Sequence, residues 1–295
     1  MKTNTKAHLA VLTTNIIFGI NYAAMKFITP AYIHPFGLNM ARVLSALLLF
    51  WLLFLLKPGK SGIQLKHIPR FLICALTGVV INQLLFVKGL SLTTPIHASL
   101  LSLGTPIFIT FIAAWILKER LNLTKITGLV LGITGAGLLI LLKDNSHNGS
   151  NMLLGDTMVL FNAVSYAFYM VLVRPLMKIY SPFHVIRWIF TFGFFIMLPF
   201  AWSDFVSTQW QHFQVIHWLV LGLICIGATF LAYLFNIYGI SVIGASATGS
   251  YIYTQPVFAA IVAIVLMREH LTLLKIISAL LIFSGVYLVN WKRNS

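Results

Sequence analysis

About ten long apolar runs constrain the fold of this chain more than any other feature. Each run holds about 20 mostly apolar residues, the length that an α-helix needs to cross the hydrocarbon core of a bilayer. Short segments with turn-forming residues, such as 57–62 and 143–151, separate the runs. The runs cover roughly residues 8–28, 34–56, 69–90, 95–117, 123–142, 153–174, 182–202, 214–238, 244–267 and 272–291.

The composition agrees with a chain that lipid surrounds. Hydrophobic residues make up 59% of the 295 positions and charged residues only 8%, whereas a soluble domain carries about 25% charged residues. The runs are continuously apolar rather than alternating, which disfavours a membrane β-barrel. The first run is also long for a signal peptide, so we expect it to be retained. The predicted fold is therefore an all-α integral membrane protein with ten transmembrane helices.

The distribution of cations predicts the orientation, because cytoplasmic loops of membrane proteins are enriched in Lys and Arg. With the N-terminus inside, three cations fall in the external segments, namely Lys143, Arg268 and Lys275. Thirteen fall in the cytoplasmic segments: Lys2, Lys6, Lys57, Lys60, Lys66, Arg70, Lys118, Arg120, Lys125, Arg174, Lys178, Lys292 and Arg293. We expect a multi-pass protein of the cell (inner) membrane with both termini in the cytoplasm. No continuous basic face suits a nucleic acid, despite the formal charge of +15.

An internal repeat relates the two halves of the chain. When the sequence is shifted by 150 positions, residues 89–128 lie over 239–278 without a gap, and Pro106 meets Pro256. The phrase "KERLN" then meets "REHLT", so that Glu119 and Glu269 are equivalent. We expect two five-helix units, residues 1–145 and 150–295, which together form one membrane domain. Because each unit has an odd number of spans, the second unit is inverted, as in many secondary transporters.

These residues resemble the EamA family of the drug/metabolite transporter superfamily. The resemblance rests on Pro106, "KERLN", the Gly-rich helix that follows, and the opening "FGINYAAMK" at residues 18–26. In the second half His270 replaces the Arg that is usual in the family phrase, and in the opening Phe18 replaces a Trp. The resemblance covers nearly the whole chain. It implies a transporter of amino acids or other small metabolites without indicating which solute is carried.

The two equivalent glutamates are interpreted as structural, together with the prolines of the same motif, Pro106 and Pro256. Glu119 and Glu269 would close the turn between two helices near the membrane interface, with flanking cations lowering their cost. Asn122 and Thr272 would cap the next helix. The alternative interpretation is a carboxylate that couples transport to protons, for which Asp156 and His97 are further candidates.

Four cations lie in or near the spans, where a charge costs about 2.5–3.5 kcal/mol on insertion scales. Lys26 and Lys88 stand near span ends and suit snorkelling to the interface. For Arg42 and Arg187, each within two turns of a span start, snorkelling and a functional role are both open.

Amides and tyrosines inside the spans suggest a polar site near the midplane between the halves. A single such residue usually forms hydrogen bonds between helices, but the group offers donors and acceptors for a polar solute. The prolines 106 and 256 would each free a backbone carbonyl one turn earlier. The predicted substrate-binding residues are Asn21, Tyr22, Lys26, Gln83, Lys88, Tyr166, Tyr169, Tyr233, Tyr253 and Gln255, with Lys26 or Lys88 meeting a carboxylate from the outer side.

The predicted function is secondary transport of small polar organic metabolites such as amino acids, most readily export, by alternating access. The alternatives are a membrane-embedded enzyme and a receptor or scaffold that transports nothing. No nucleotide motif, catalytic constellation or metal-ligand spacing is visible, so no cofactor and no metal are expected. The partners are a small-molecule substrate and the lipid bilayer. Cys74 and Cys225 are interpreted as packing residues.

Overall fold

The chain is built from helices throughout the residues that its computed structural model describes, which are 3–56, 62–117, 123–141 and 150–290. The helices are α1 (Thr3–Ile28), α2 (Pro35–Leu56), α3 (Ile68–Ala75), α4 (Asn82–Leu92), α5 (Pro95–Leu103), α6 (Thr105–Leu117), α7 (Leu123–Leu141), α8 (Met152–Leu172), α9 (Arg174–Met177), α10 (Pro182–Val206), α11 (Val215–Gly222), α12 (Ala232–Ser250), α13 (Gln255–Met267) and α14 (Leu273–Asn290).

Eight stretches of these helices are long and apolar enough to cross a membrane. Two shorter apolar helices, Tyr251–Met267 and Leu273–Leu288, follow them within the described residues. The all-helical membrane fold expected from the sequence is therefore present, whereas the count of ten spans stays a prediction. The bounds of α1 and α2 agree with the first two apolar runs to within a few residues, and α3 and α4 together agree with the third.

The expected boundary between the eighth and ninth spans, at residues 238–244, lies inside the single helix α12. An α-helix rises 1.5 Å per residue, so residues nine apart would lie about 13 Å apart in a straight helix. A Cβ atom on Gly239 would nevertheless lie 3.2 Å from Oγ1 of Thr248. The chain therefore folds back on itself within α12. In the first half, the equivalent turn interrupts the helix after Leu92, because Pro95 cannot continue it. In the second half, Ala245 stands at the position equivalent to Pro95, so no proline interrupts α12.

The two prolines of the repeat begin helices rather than bending them. Pro106 is the second residue of α6 and Pro256 the second residue of α13. The carbonyl of Ser102, which lies one turn before Pro106, accepts a hydrogen bond from the Thr105 hydroxyl at 2.6 Å. The carbonyl that the proline frees is thus satisfied locally, and the expected unpaired carbonyl in a cavity is not found there.

Two π-helical segments interrupt equivalent helices. Leu76–Ile81 joins α3 to α4, and Leu223–Leu231 joins α11 to α12. Residues 76–81 become 226–231 on the 150-residue shift, so the two interruptions fall at matching places. π-helical turns occur frequently at functional sites.

The helices pack in a pattern that pairs elements of one half with elements of the other. α2 packs on α10, α7 on α14, α4 and α6 on α8, and α12 and α13 on α1. Glycine allows the closest approach: a Cβ atom on Gly285 of α14 would lie 2.6 Å from the carbonyl oxygen of Gly128 in α7. The glycine run at 128–137 is therefore a helix-packing surface, as its composition predicts.

Candidate substrate site

A buried arginine lies in the interior formed by α1, α2, α3–α4 and α11–α12. Arg42 is seven residues into α2, about 10 Å below the helix start, and only 7% of its surface is exposed. Its Nε donates to Oγ1 of Thr229 at 3.1 Å, and its Nη1 donates to Oδ1 of Asn39 at 3.3 Å. Arg42 therefore does not snorkel to the interface.

The charge of Arg42 is not balanced by any carboxylate within the described residues. Its hydrogen-bond partners are neutral, and the guanidinium is also within electrostatic reach of the Tyr233 hydroxyl and the Cys225 thiol. Two of its five N–H donors are used in these two hydrogen bonds. An isolated cation held inside a membrane protein is costly, and the described residues supply no anion to balance it.

Two amide side chains, Gln83 on α4 and Asn21 on α1, have buried polar atoms without a hydrogen-bond partner among the described residues. Gln83 is 3% exposed, and neither its Nε2 nor its Oε1 has a hydrogen-bond partner. Its backbone carbonyl accepts from Asn39 Nδ2 at 2.9 Å, which places it next to the Arg42 network. On α1, Oδ1 of Asn21 is likewise buried and unpaired, while its Nδ2 contacts the Met25 sulfur at 3.7 Å. Buried amide groups are normally satisfied, whereas these atoms have no partner among the described residues.

Three of the predicted tyrosines come together deeper in the same interior. The rings of Tyr166 and Tyr169 are 5.6 Å apart on α8, and both hydroxyls are within electrostatic reach of Tyr233 on α12. Tyr233 in turn lies within reach of Arg42. The sequence predicted these three tyrosines and Gln83 as lining residues, and the structure brings them to one region around Arg42.

An apolar groove of about 380 Å³ borders this region between α2, the end of α10 and α11. Phe205, Trp210 and Trp218 form its aromatic wall. Ser45 and Cys225 also line the groove, and Cys225 is within electrostatic reach of Arg42. The groove thus gives an apolar surface beside the buried cation.

The remaining predicted lining residues lie elsewhere. Tyr22 packs edge-on against Phe86, which lies one helical turn after Gln83 on α4. Gln255 donates a hydrogen bond to Asn15 at 2.8 Å. Tyr253 packs near Phe283. Lys88 is half-buried on α4.

The Lys26 ammonium donates to three carbonyl oxygens at the C-terminal end of α4. These belong to Leu90, Ser91 and Thr93, at 3.3, 2.8 and 2.6 Å, and they use all three donors of the ammonium group. A substrate carboxylate would have to displace one of them.

A second polar cluster lies at one end of the molecule, which we call the Thr93 end. There α1 and α4 end, and α5 and α8 begin. The Thr93 hydroxyl donates to Oδ1 of Asp156, and His97 Nδ1 lies 2.9 Å from Oδ2 of the same carboxylate. Nε2 of His97 is buried and has no partner. These contacts fix the turn between α4 and α5 to the start of α8.

The neighbouring threonine holds the second carboxylate of the Thr93 end. Thr94 caps α5 and donates to Oε1 of Glu269 at 2.5 Å, while Lys275 Nζ lies 3.3 Å from the same oxygen. Glu269 is 3% exposed and Lys275 is fully buried. Glu269 lies in the turn between α13 and α14, where the left-handed backbone at Arg268 (φ 53°) ends α13. It is buried in this turn, and its cation partner is Lys275, six residues away.

Thr272 accepts a hydrogen bond from the Lys275 amide at 3.4 Å, so its predicted capping role is confirmed. Glu119 and Asn122 lie outside the described residues.

Sequence reasoning did not single out Asn39, Thr93, Thr94 or Thr229. Only Thr94 carries a local signal, since a threonine directly before Pro95 is a typical start of a helix. The others matter because of tertiary neighbours. Among the described residues, no group of three His, Cys, Asp or Glu side chains is arranged to hold a metal ion.

Comparisons with known proteins identify the family and the fold. A sequence model of the EamA-like transporter family matches residues 5–141 and 153–291. The uncharacterized transporter YoaV of Bacillus subtilis is 27% identical, with 96% of each chain covered. Protein WALLS ARE THIN 1 of Arabidopsis thaliana is 26% identical over 97% of this chain and 83% of its own length. One crystal structure has a TM-score of 0.65 at 16% identity, covering 97% of this chain and 96% of the other, which supports the fold.

Proposed function

This chain belongs to the EamA-like transporter family, and we propose that it is a secondary transporter that exports small polar organic metabolites such as amino acids by alternating access. Membership in the family and the names of the relatives indicate a membrane transporter rather than an enzyme. The single observation that carries the solute class is the buried polar region around Arg42. Its unpaired amides and cation are expensive without a ligand.

Alternating access is supported by the way the helices pair. In the two proposed halves, α1 corresponds to α8, α4 to α12 and α6 to α13. The contacts of α8 with α4 and α6 therefore match the contacts of α1 with α12 and α13. α2 with α10, and α7 with α14, pair each element with its own counterpart. Two units related in this way can rock about a fixed site between them. α11–α12 would bend at the π-helical segment that contains Thr229, and α3–α4 would bend at the segment that ends just before Gln83.

The Thr93 end is proposed to be the external gate. Its polar contacts tie the α4–α5 turn to α8 and to the α13–α14 corner, which belong to the other proposed half. The cation distribution of the sequence places this end outside. Opening toward the outside would separate Thr93 from Asp156 and Thr94 from Glu269.

The proposed function is tested by efflux measurements in a bacterial host that lacks its own exporters. Cells are loaded with amino acids and organic acids, and the solutes released with and without the protein are compared by mass spectrometry. The expected result is faster release of one or a few solutes. Equal release of every solute would overturn the proposed function.

A further inference from the structure

Arg42 is a buried cation whose hydrogen-bond partners among the described residues are neutral. Three carboxylates lie in or beside the described spans, namely Asp156, Asp204 and Glu269. Asp156 and Glu269 are held by His97, Thr93, Thr94 and Lys275 at the Thr93 end. Asp204 lies in the last turn of α10 and is not among the hydrogen-bond partners of Arg42. A buried charge is tolerated when it is paired. The partner of Arg42 is therefore sought outside the protein.

We infer that Arg42 binds a carboxylate group of the transported solute, so that the substrate is an organic acid or amino acid rather than an amine or a neutral compound. This inference rests on the proposed transport function. A guanidinium presents planar pairs of N–H donors that match the two oxygens of a carboxylate. Thr229 and Asn39 fix the side chain through Nε and Nη1, which leaves donors of the guanidinium for the solute.

The charge of the site favours a carboxylate over a phosphate. A phosphate monoester brings about −1.5 to −2 charges at neutral pH, while Arg42 lies among the uncharged Asn39, Thr229, Tyr233 and Cys225. One carboxylate balances one guanidinium. A dianion would leave a net negative charge buried among these groups, which is costly.

The surroundings favour an organic solute over a small inorganic anion. The amide oxygen of Gln83, next to the Arg42 network, is buried and unpaired, and it can accept from a hydroxyl or ammonium group. The adjacent groove of about 380 Å³ is lined mainly by apolar and aromatic side chains. A solute that carries a carboxylate, a hydrogen-bond donor and an apolar part fits all three features.

The test uses the whole protein, purified and placed in ATP-free liposomes. The liposomes are loaded with a mixture of L-amino acids, hydroxy acids and simple carboxylic acids, together with their amides and decarboxylated amines and with sugar phosphates. Solute release is followed by mass spectrometry. We expect every transported solute to carry a carboxylate and its amide and amine analogues to be retained. If a transported solute lacks a carboxylate, the inference fails while the proposed function stands; if no solute is released, the proposed function fails and the inference with it.

Two variants test the role of Arg42 itself. Arg42→Lys keeps the charge but loses the planar pair of donors, and we expect it to raise the KM for the solute roughly thirtyfold or more. Arg42→Met should abolish transport while leaving the melting temperature equal to or above that of the wild type, because it removes an unbalanced buried charge. A structural arginine would show the opposite, a large loss of stability in Arg42→Met.

Arg187 provides the matched control, since it is a second buried arginine in a neighbouring helix. Its guanidinium lies 3.6 Å from the centre of the Phe54 ring and 4.6 Å from that of Trp51. We expect Arg187→Lys to leave the KM unchanged even where the folded yield falls. An equal rise of KM in Arg42→Lys and Arg187→Lys would overturn the assignment of the carboxylate site to Arg42.

Discussion

At the scale of single residues, burial and partners decide between roles that the sequence leaves open. Arg42 and Arg187 stand at similar distances from a span start, and the sequence cannot tell on which side of a helix each lies. The structure buries both, one among neutral polar groups and the other against aromatic rings. Gln83 and the tyrosines 166, 169 and 233 could be named from their chemistry alone. Asn39 and Thr229 could not, because their importance comes from a neighbour on another helix.

The Glu269–Lys275 pair leads to a prediction about stability. Replacing Glu269 by Gln leaves the fully buried Lys275 ammonium without its carboxylate, and breaking a buried pair costs about 3–5 kcal/mol. We expect Glu269→Gln to lower the melting temperature and folded yield markedly. The double variant Glu269→Gln/Lys275→Met should recover most of the loss, because no uncompensated charge remains. The melting temperatures of the single and double variants are measured by thermal unfolding in detergent, followed by tryptophan fluorescence. A Glu269→Gln protein that is as stable as the wild type but has lost a pH dependence of transport would instead identify Glu269 as a coupling site.

At the scale of helices, the sequence located most elements but not their interruptions. The apolar runs predicted where the spans lie, and the 150-residue shift predicted that Pro106 and Pro256 are equivalent. The sequence did not predict the π-helical segments, because an extra residue in one helical turn leaves no distinct pattern in an apolar run. The expected boundary at residues 238–244 coincides with the fold-back within α12, although no proline marks the turn there.

The contact between α7 and α14 gives a prediction with an internal control. Gly285→Ala would place a methyl group 2.6 Å from the Gly128 carbonyl oxygen and Gly132 amide nitrogen, so the helices must separate. Overpacking of this kind costs about 1–3 kcal/mol. Gly137→Ala on the same pair of helices meets nothing within 4 Å and should leave stability unchanged. The melting temperatures of the two variants are compared, and equal values would show that these helices do not pack through their glycines.

At the scale of the whole molecule, the orientation in the membrane is a prediction from charge alone. With Cys74 and Cys225 replaced by alanine, a single cysteine is placed at exposed Lys66 or exposed Asn151. An impermeant maleimide added to intact cells should label Asn151→Cys and spare Lys66→Cys, because cations accumulate on the cytoplasmic side. In inside-out vesicles the pattern should reverse. Labelling of both positions from the same side would contradict the topology.

The central claim is that the polar region around Arg42 opens to each side of the membrane in turn. A cysteine at Gln83, on the same cysteine-free background, reports on this directly, because Gln83 is buried in the present conformation and its side chain has no partner. The rate of its reaction with a small impermeant thiol reagent is measured in right-side-out and inside-out vesicles, with Asn151→Cys and Lys66→Cys confirming the sidedness of each preparation. Alternating access predicts that Gln83→Cys reacts from both sides. Complete protection from both sides, in a protein that is folded and inserted, would contradict the account.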